Sequence, residues 1–241
     1  GPGLAFAVAL GLYVVGLGIL ATVRTTWAPS GADGSLGDQF REGLAYVRTR
    51  PEMRLAFRLA FSVAGLGAVF AFSLAAGVAD DLFGRGGGGL GVLSTSLGVG
   101  SLLASAFISG RGGRMSRAVL ERRAILLYGA GLLVVASSSW LGVGMFGYLL
   151  TGAAHMLHGT TLSTALQLRV DEEFRGRVMS VFLVAILSGI PIGGLAFGIL
   201  GDLVGLRWVV LGAGLALCLD ATVTGRRGAF ALLDHEADVA G

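Results

Sequence analysis

The sequence predicts an all-α, polytopic membrane protein, a bundle of about seven transmembrane helices. Its 241 residues are 54% hydrophobic and 14% charged, with a mean hydropathy of +0.79, a composition of the membrane class. The apolar residues come in runs matched to a bilayer. Val178 to Gly201 carries no charge, and at about 1.5 Å per residue it crosses a hydrocarbon core of about 30 Å. The 42 glycines suit helices whose backbones approach closely in lipid, where small residues replace the hydrophobic effect as the route to tight contact.

Composition also excludes several classes. All 18 basic residues are arginine, so no lysine is present to carry a retinal Schiff base. The pI near 9.6 comes from arginines clustered in loops and does not point to nucleic acid. Cys218 stands alone in an apolar run, which leaves no disulfide framework and no cysteine metal site. The chain starts Gly1-Pro2-Gly3, without methionine or a basic segment ahead of its first apolar run. It reads as a piece of a longer protein rather than as a signal peptide.

The first span is Leu4 to Val23, ended by Arg24. In the polar stretch that follows, Leu36, Phe40, Leu44 and Val47 recur at helical spacing among charged residues, the pattern of an amphipathic surface helix. Pro51 punctuates the approach to the second span, about Leu55 to Ala79, with Arg58 in its first turn. Asp80, Asp81 and Arg85 with Gly86 to Gly89 are expected to form a flexible connection. No Lys-Ser or Lys-Thr follows those glycines, so they are not a phosphate loop. The third span is about Leu90 to Ser109, followed by a basic loop from Arg111 to Arg123.

Ala124 to Leu168 is free of formal charge and too long for one crossing. Ser137-Ser138-Ser139-Trp140, turn-forming serines beside an interfacial aromatic, divides it. The fourth span is then about 124–138 and the fifth about 142–167. The sixth is the uncharged run Val178 to Gly201, entered from the basic turn Arg175-Gly176-Arg177. The seventh, about Leu206 to Thr224, is interrupted by Asp220, and the polar tail after Arg226 is expected to be surface or disordered. Sixteen of the 18 arginines fall in alternate connections and the tail, leaving Arg85 and Arg207 for the opposite side. The positive-inside rule makes the arginine-rich side and the C-terminus cytoplasmic and the N-terminus external, in a multi-pass protein of the cell (inner) membrane.

Gln167-Leu-Arg-Val-Asp-Glu-Glu-Phe-Arg-Gly-Arg-Val-Met-Ser, followed by Ile190-Pro191-Ile192-Gly193, resembles the passage between the tenth and eleventh helices of a major facilitator superfamily transporter. The most similar branch holds the enterobactin exporter and macrolide-efflux proteins. Phe40-Arg-Glu-Gly-Leu-Ala-Tyr-Val-Arg-Thr-Arg-Pro51-Glu-Met-Arg54 resembles that branch's segment before helix seven. The resemblance implies that residues 1–24 are the last helix of an N-terminal half and 25–54 a cytoplasmic central loop. Residues 55–225 would be the six-helix C-terminal domain and 226–241 a cytoplasmic tail. It also implies proton-coupled efflux of a hydrophobic small molecule (a drug, macrolide or siderophore) by alternating access, with a partner half of five further helices. The superfamily's G-x-x-x-D-R-x-G-R loop is degenerate here: Ser109, Gly113 and Ser116 replace its glycine, aspartate and second glycine, leaving Arg114 and Arg117.

Polar groups at membrane depth are the candidates for function, because each is costly unless paired or facing water. His155 and His158 share a face near the centre of the fifth span. They read either as a proton-responsive or substrate-contacting pair or as neutral, hydrogen-bonded packing groups. Two histidines need a third ligand to hold a metal, and the remaining one, His235, is in the tail, so neither metal nor cofactor is expected. Asp220 is read as paired with a cytoplasmic-side arginine or as a proton carrier. Gln167, Arg169, Arg175 and Arg177 mark a cytoplasmic turn whose arginines either gate, by pairing with Asp171, Glu172, Glu173 or acids under neighbouring helices, or are simply solvated. Gly189, Pro191, Gly193 and Gly194 read as a hinge or as close packing. Tyr128 and Tyr148 belong to an interface or a cavity. The expected partners are the lipid bilayer, a small-molecule substrate and the missing half. The competing readings are a non-transporting seven-helix receptor or membrane enzyme, and an inactive truncated gene product.

Overall fold

The computed structural model describes residues 2–22 and 35–234 and divides into two units, Gly1–Ser35 and Leu36–Gly241. The first unit is the helix α1, Pro2–Thr22, which is free of charge. Its predicted stop at Arg24 and the tail histidine His235 lie outside the described residues.

The second unit opens with α2, Leu36–Thr49. Gly43, Tyr46 and Val47 form its buried face; of the predicted stripe, Leu44 is half-buried and Phe40 exposed. The chain turns at Arg50 into α3, Pro51–Val63, with Pro51 in the first turn, where its missing N–H costs nothing. The second span is not one regular helix. A π turn at Ala64–Ala68 leads to α4, Val69–Phe72; the chain breaks at Ser73 and Leu74, and α5, Ala75–Gly77, runs into a second π turn, Val78–Leu82. At the break Leu74 N–H reaches back to the Val69 carbonyl, 2.8 Å away. The Phe70 carbonyl, left without its usual partner, accepts from the Tyr148 hydroxyl at 2.8 Å.

The expected flexible connection is corrected. Asp80 and Asp81 lie within the second π turn, and Gly86 to Gly89 form the first turn of α6, Gly86–Gly110. Gly84 (φ 61°) and Gly86 (φ 46°) supply the left-handed backbone for a tight turn, so little chain is left to be flexible. The fourth span begins at Arg117 rather than Ala124, as α7, Arg117–Ala136. Charge alone did not stop the helix, because its free N–H groups are capped. The Ser116 hydroxyl accepts from Val119 N–H at 3.3 Å, and the Asp234 carboxylate from Ala118 N–H at 2.9 Å. The turn at 137–140 falls as expected, before α8, Leu141–Arg169. A short 3₁₀ turn, Glu172–Phe174, precedes α9, Arg175–Val204, which continues through Pro191.

Helix α10, Leu206–Arg226, also runs unbroken through Asp220. The tail departs from expectation as well. A 3₁₀ turn at Ala229–Leu233 buries Phe230 and Leu233 against the bundle, so residues 227–234 are part of the packed fold. Among the described residues four helical segments are long and apolar enough to cross a membrane: Pro51–Phe72, Gly86–Gly110, Glu172–Val204 and Leu206–Arg226. Helix α7 opens on Arg117, Glu121, Arg122 and Arg123, and α8 carries histidines and hydroxyls, which sets both apart from that group.

Glycines let the backbones touch. A methyl group added at Gly100 of α6 would collide with the Leu149 carbonyl of α8, and one at Gly152 with the Leu97 carbonyl. Gly131 and Gly147 face each other across α7 and α8 in the same way, at 3.0 and 2.9 Å from a would-be methyl to the opposite carbonyl. On α9, a methyl at Gly193 would stand 2.5 Å from the Gly65 carbonyl in the first π turn. Gly159, two turns further along α8 from Gly152, has open space around it. Gly152→Ala is therefore expected to destabilise by about 1–3 kcal/mol through overpacking. Gly159→Ala should instead gain up to about 1 kcal/mol of helix propensity. Thermal unfolding of the two variants in detergent checks this; equal shifts would contradict the contact.

Candidate functional site

The i, i+3, i+4 pattern of α7 puts Leu120, Glu121, Ala124, Ile125 and Tyr128 on one buried stripe facing its neighbours. Glu121 is fully buried. Its Oε1 lies 2.6 Å from Nδ1 of His158, itself buried on α8. Its second oxygen, Oε2, is buried with no hydrogen-bond partner. Two turns along α7 the Tyr128 hydroxyl lies 3.5 Å from Nδ1 of His155, whose ring packs 5.2 Å from that of Phe72. Both predicted histidines thus face α7 and form one polar seam between α7 and α8. Sequence reasoning missed Glu121 by assigning it to the basic loop; its place in the apolar stripe with Leu120, Ala124 and Ile125 was the signal.

Asp220 belongs to a separate cluster. Arg58 of α3 pairs with its Oδ1, and Arg58 Nη2 donates to the Thr224 hydroxyl at 2.7 Å. Thr224 in turn donates to Asp220 at 3.3 Å. This network keeps α10 regular where the aspartate was expected to interrupt it. Asp220 Oδ2 stays buried without a partner. No hydrogen bond or ion pair joins this cluster to the histidine seam among the described residues.

The turn between α8 and α9 docks on α2. Arg50 Nη2 reaches Asp171 Oδ2 at 2.7 Å, and Arg177 Nη1 reaches Glu42 Oε2 at 2.8 Å. Tyr46 lies between them: its ring stacks on Phe174 with centroids 4.9 Å apart, and the Arg50 guanidinium lies 4.2 Å over it. The Tyr46 hydroxyl donates to Asp171 Oδ2 at 3.2 Å and accepts from Asp171 N–H at 3.1 Å. Burial pushes the Tyr46 phenol above its ordinary pKa. Of the residues expected to gate or to line the cytoplasmic loops, Arg177 takes its partner from α2 and not from its own turn, while Arg175, Gln167 and Arg114 are exposed. Arg169 donates to the Asp234 carbonyl, and Arg117 is half-buried at the start of α7.

At the opposite end Arg207 donates to the carbonyls of Ala136, Ser138 and Leu82 at 2.7, 3.0 and 3.2 Å and to the Ser139 hydroxyl at 2.8 Å. One guanidinium thereby satisfies the ends of two helices, a role sequence reasoning did not assign to it. Gly189, Gly193 and Gly194 pack against Ala64, Gly65 and Ser73, with Pro191 exposed on the other side of α9.

Replacing Arg58 with Leu leaves Asp220 charged and unpaired, which is expected to cost about 1–3 kcal/mol. The Arg58→Leu/Asp220→Leu double variant should recover most of that loss, because no lone charge remains. A double-mutant cycle of thermal unfolding checks it; simple additivity would show that the pair is not coupled.

The chain matches, over residues 1–238, the family described as transmembrane secretion effector. No curated protein matches it. A family match over nearly the whole length, on an all-α bundle with several long apolar helices, makes this a multi-pass membrane protein of a transporter family and not an enzyme. The chain belongs to the transmembrane secretion effector family of the major facilitator superfamily.

Proposed function

We propose that this chain is the C-terminal part of a secondary active transporter that exports a hydrophobic small molecule, such as a drug, macrolide or siderophore, in exchange for protons. The observation that carries the reading is the set of ionisable side chains, His155, His158 and Asp220, kept inside an otherwise apolar family-matched bundle and held by polar partners. Intramembrane ionisable residues are costly and mark ion and substrate pathways. Residues 1–24 would complete an N-terminal half, 25–54 would form the cytoplasmic central loop, 55–225 the C-terminal six-helix domain and 226–241 the tail, of which residues 227–234 pack against the bundle. The fragment-level resemblance to the enterobactin and macrolide exporters supports export as the direction.

The docked turn fits a cytoplasmic gate. Arg50–Asp171 and Arg177–Glu42 are partly exposed pairs, each worth about 0–1 kcal/mol, so the contact is cheap enough to break and re-form as the two halves rock. Gly189, Gly193 and Gly194 beside Pro191 would let α9 move against α3 as a hinge. The arginine-rich connections and the C-terminus lie in the cytoplasm in this reading.

Two measurements test it. Efflux of ethidium by cells expressing the full natural protein should stop when a protonophore collapses the proton gradient; efflux that persists would overturn proton coupling. In spheroplasts, a membrane-impermeant maleimide should label Trp140→Cys and spare Arg114→Cys; the reverse pattern would invert the topology.

A further inference from the structure

Among the described residues Glu121 is the one acid that the bundle buries completely, yet the bundle satisfies only half of it. Oε1 takes the bond to His158 Nδ1 at 2.6 Å, and Oε2 faces no donor. A structural ion pair needs both oxygens satisfied to offset its desolvation. A carboxyl with one oxygen anchored and the other bare is instead built to change protonation: a proton on Oε2 neutralises the charge and leaves the Oε1 bond to the imidazole intact. We propose that Glu121 is the proton-carrying residue of this transporter, loading and unloading one proton at Oε2, with His158 as its positioning residue. This rests on the proton-coupled reading above and names the group that would carry the coupling.

The surroundings isolate the pair. Helix α6 presents no titratable side chain anywhere along its length. From α8 the other titratable groups are His155, which is turned to Tyr128, Tyr148, whose hydroxyl donates to the Phe70 carbonyl, and Arg169, which donates to the Asp234 carbonyl. Arg58 of α3 is committed to Asp220 of α10; on α7 itself Arg122 and Arg123 beside Glu121 are exposed, and Arg117, one turn earlier on the same face, is half-buried at the helix start. No described cation salt-bridges Glu121 other than the imidazole. The step balances simply. In the loaded state Oε2–H is neutral and His158 keeps its Nδ1–H donating to Oε1. On unloading, the Oε2 proton leaves to water, and the remaining carboxylate is held by the same Nδ1–H. No other bond changes. Loading on the external side and unloading on the cytoplasmic side moves one proton inward for each cycle.

The test uses the full natural protein in proteoliposomes with ethidium as the transported probe, comparing wild type, Glu121→Gln and His158→Gln. Glutamine keeps the shape and the Oε1-type acceptor but cannot take up the proton. Glu121→Gln should lose efflux driven by a pH gradient while keeping gradient-free ethidium exchange. Infrared difference spectra of the purified proteins supply the second reading. The wild type should show a protonated-carboxyl band that rises on acidification; Glu121→Gln should lack it, and His158→Gln should shift its titration. Wild-type efflux that ignores the pH gradient would refute the proton-coupled reading itself. Gradient-driven efflux in wild type that survives in Glu121→Gln, or a carboxyl band unchanged by that substitution, would overturn the assignment to Glu121 and leave the transporter reading standing.

Discussion

Backbone-to-backbone contact at glycines is the constraint on which the rest of this bundle depends. Lipid tails are as apolar as leucine side chains, so burying leucine against leucine gains nothing between helices, and close packing and hydrogen bonds must hold them. Gly100 with Gly152, Gly131 with Gly147 and Gly65 with Gly193 remove side chains where helices cross. The resulting separation is short enough for side-chain hydrogen bonds between helices. Ser101 of α6 donates to the Gly152 carbonyl at 3.0 Å, beside one such crossing. Across the α7–α8 crossing the same closeness brings Glu121 to His158 and Tyr128 to His155.

Magnitudes separate stability from function among the polar groups. A buried polar group left without a partner costs about 1–3 kcal/mol, and more when it is charged, whereas an interhelical hydrogen bond returns only about 0.6–2 kcal/mol. Glu121 with a single partner is therefore a net liability for the fold, and its retention asks for a functional reason. Arg207 is the contrasting case. It lies at the helix ends and closes three carbonyls that no helix could satisfy, which is a structural reason sufficient in itself. The Arg58–Asp220–Thr224 network stands between the two, since it holds α10 regular but leaves Asp220 Oδ2 unpaired.

Most of the helix order was legible because bilayer-length apolar runs and their charged or serine breaks are sequence properties. The turn at 137–140 and the Pro51 boundary fell where composition put them. Tertiary chemistry hid the rest. Gly86 to Gly89 read as a flexible loop because glycine disfavours helices in isolation, yet a turn built on Gly84 and Gly86 feeds them into α6. The start of α7 was hidden by its charges, and only the distant Asp234 and the neighbouring Ser116 show how its N-terminus is capped. The π turns around α4 leave no mark in the local sequence; they become intelligible beside Gly193 and Tyr148, which are remote in the chain. Of the site, the two histidines were visible as ionisable residues in a long charge-free run. Their partners, Glu121 and Tyr128, required the packing of α7 on α8.

The packing of α7 on α8 holds a buried Glu121 against Nδ1 of His158. The chain has three histidines, so nitrogen-15 NMR of histidine-labelled protein in nanodiscs gives a resolvable spectrum. His158 should show a fixed, hydrogen-bonded Nδ1 signal that Glu121→Gln displaces, while the His155 signal stays unmoved. A His158 signal that titrates like a free imidazole and ignores the Glu121 substitution would contradict it.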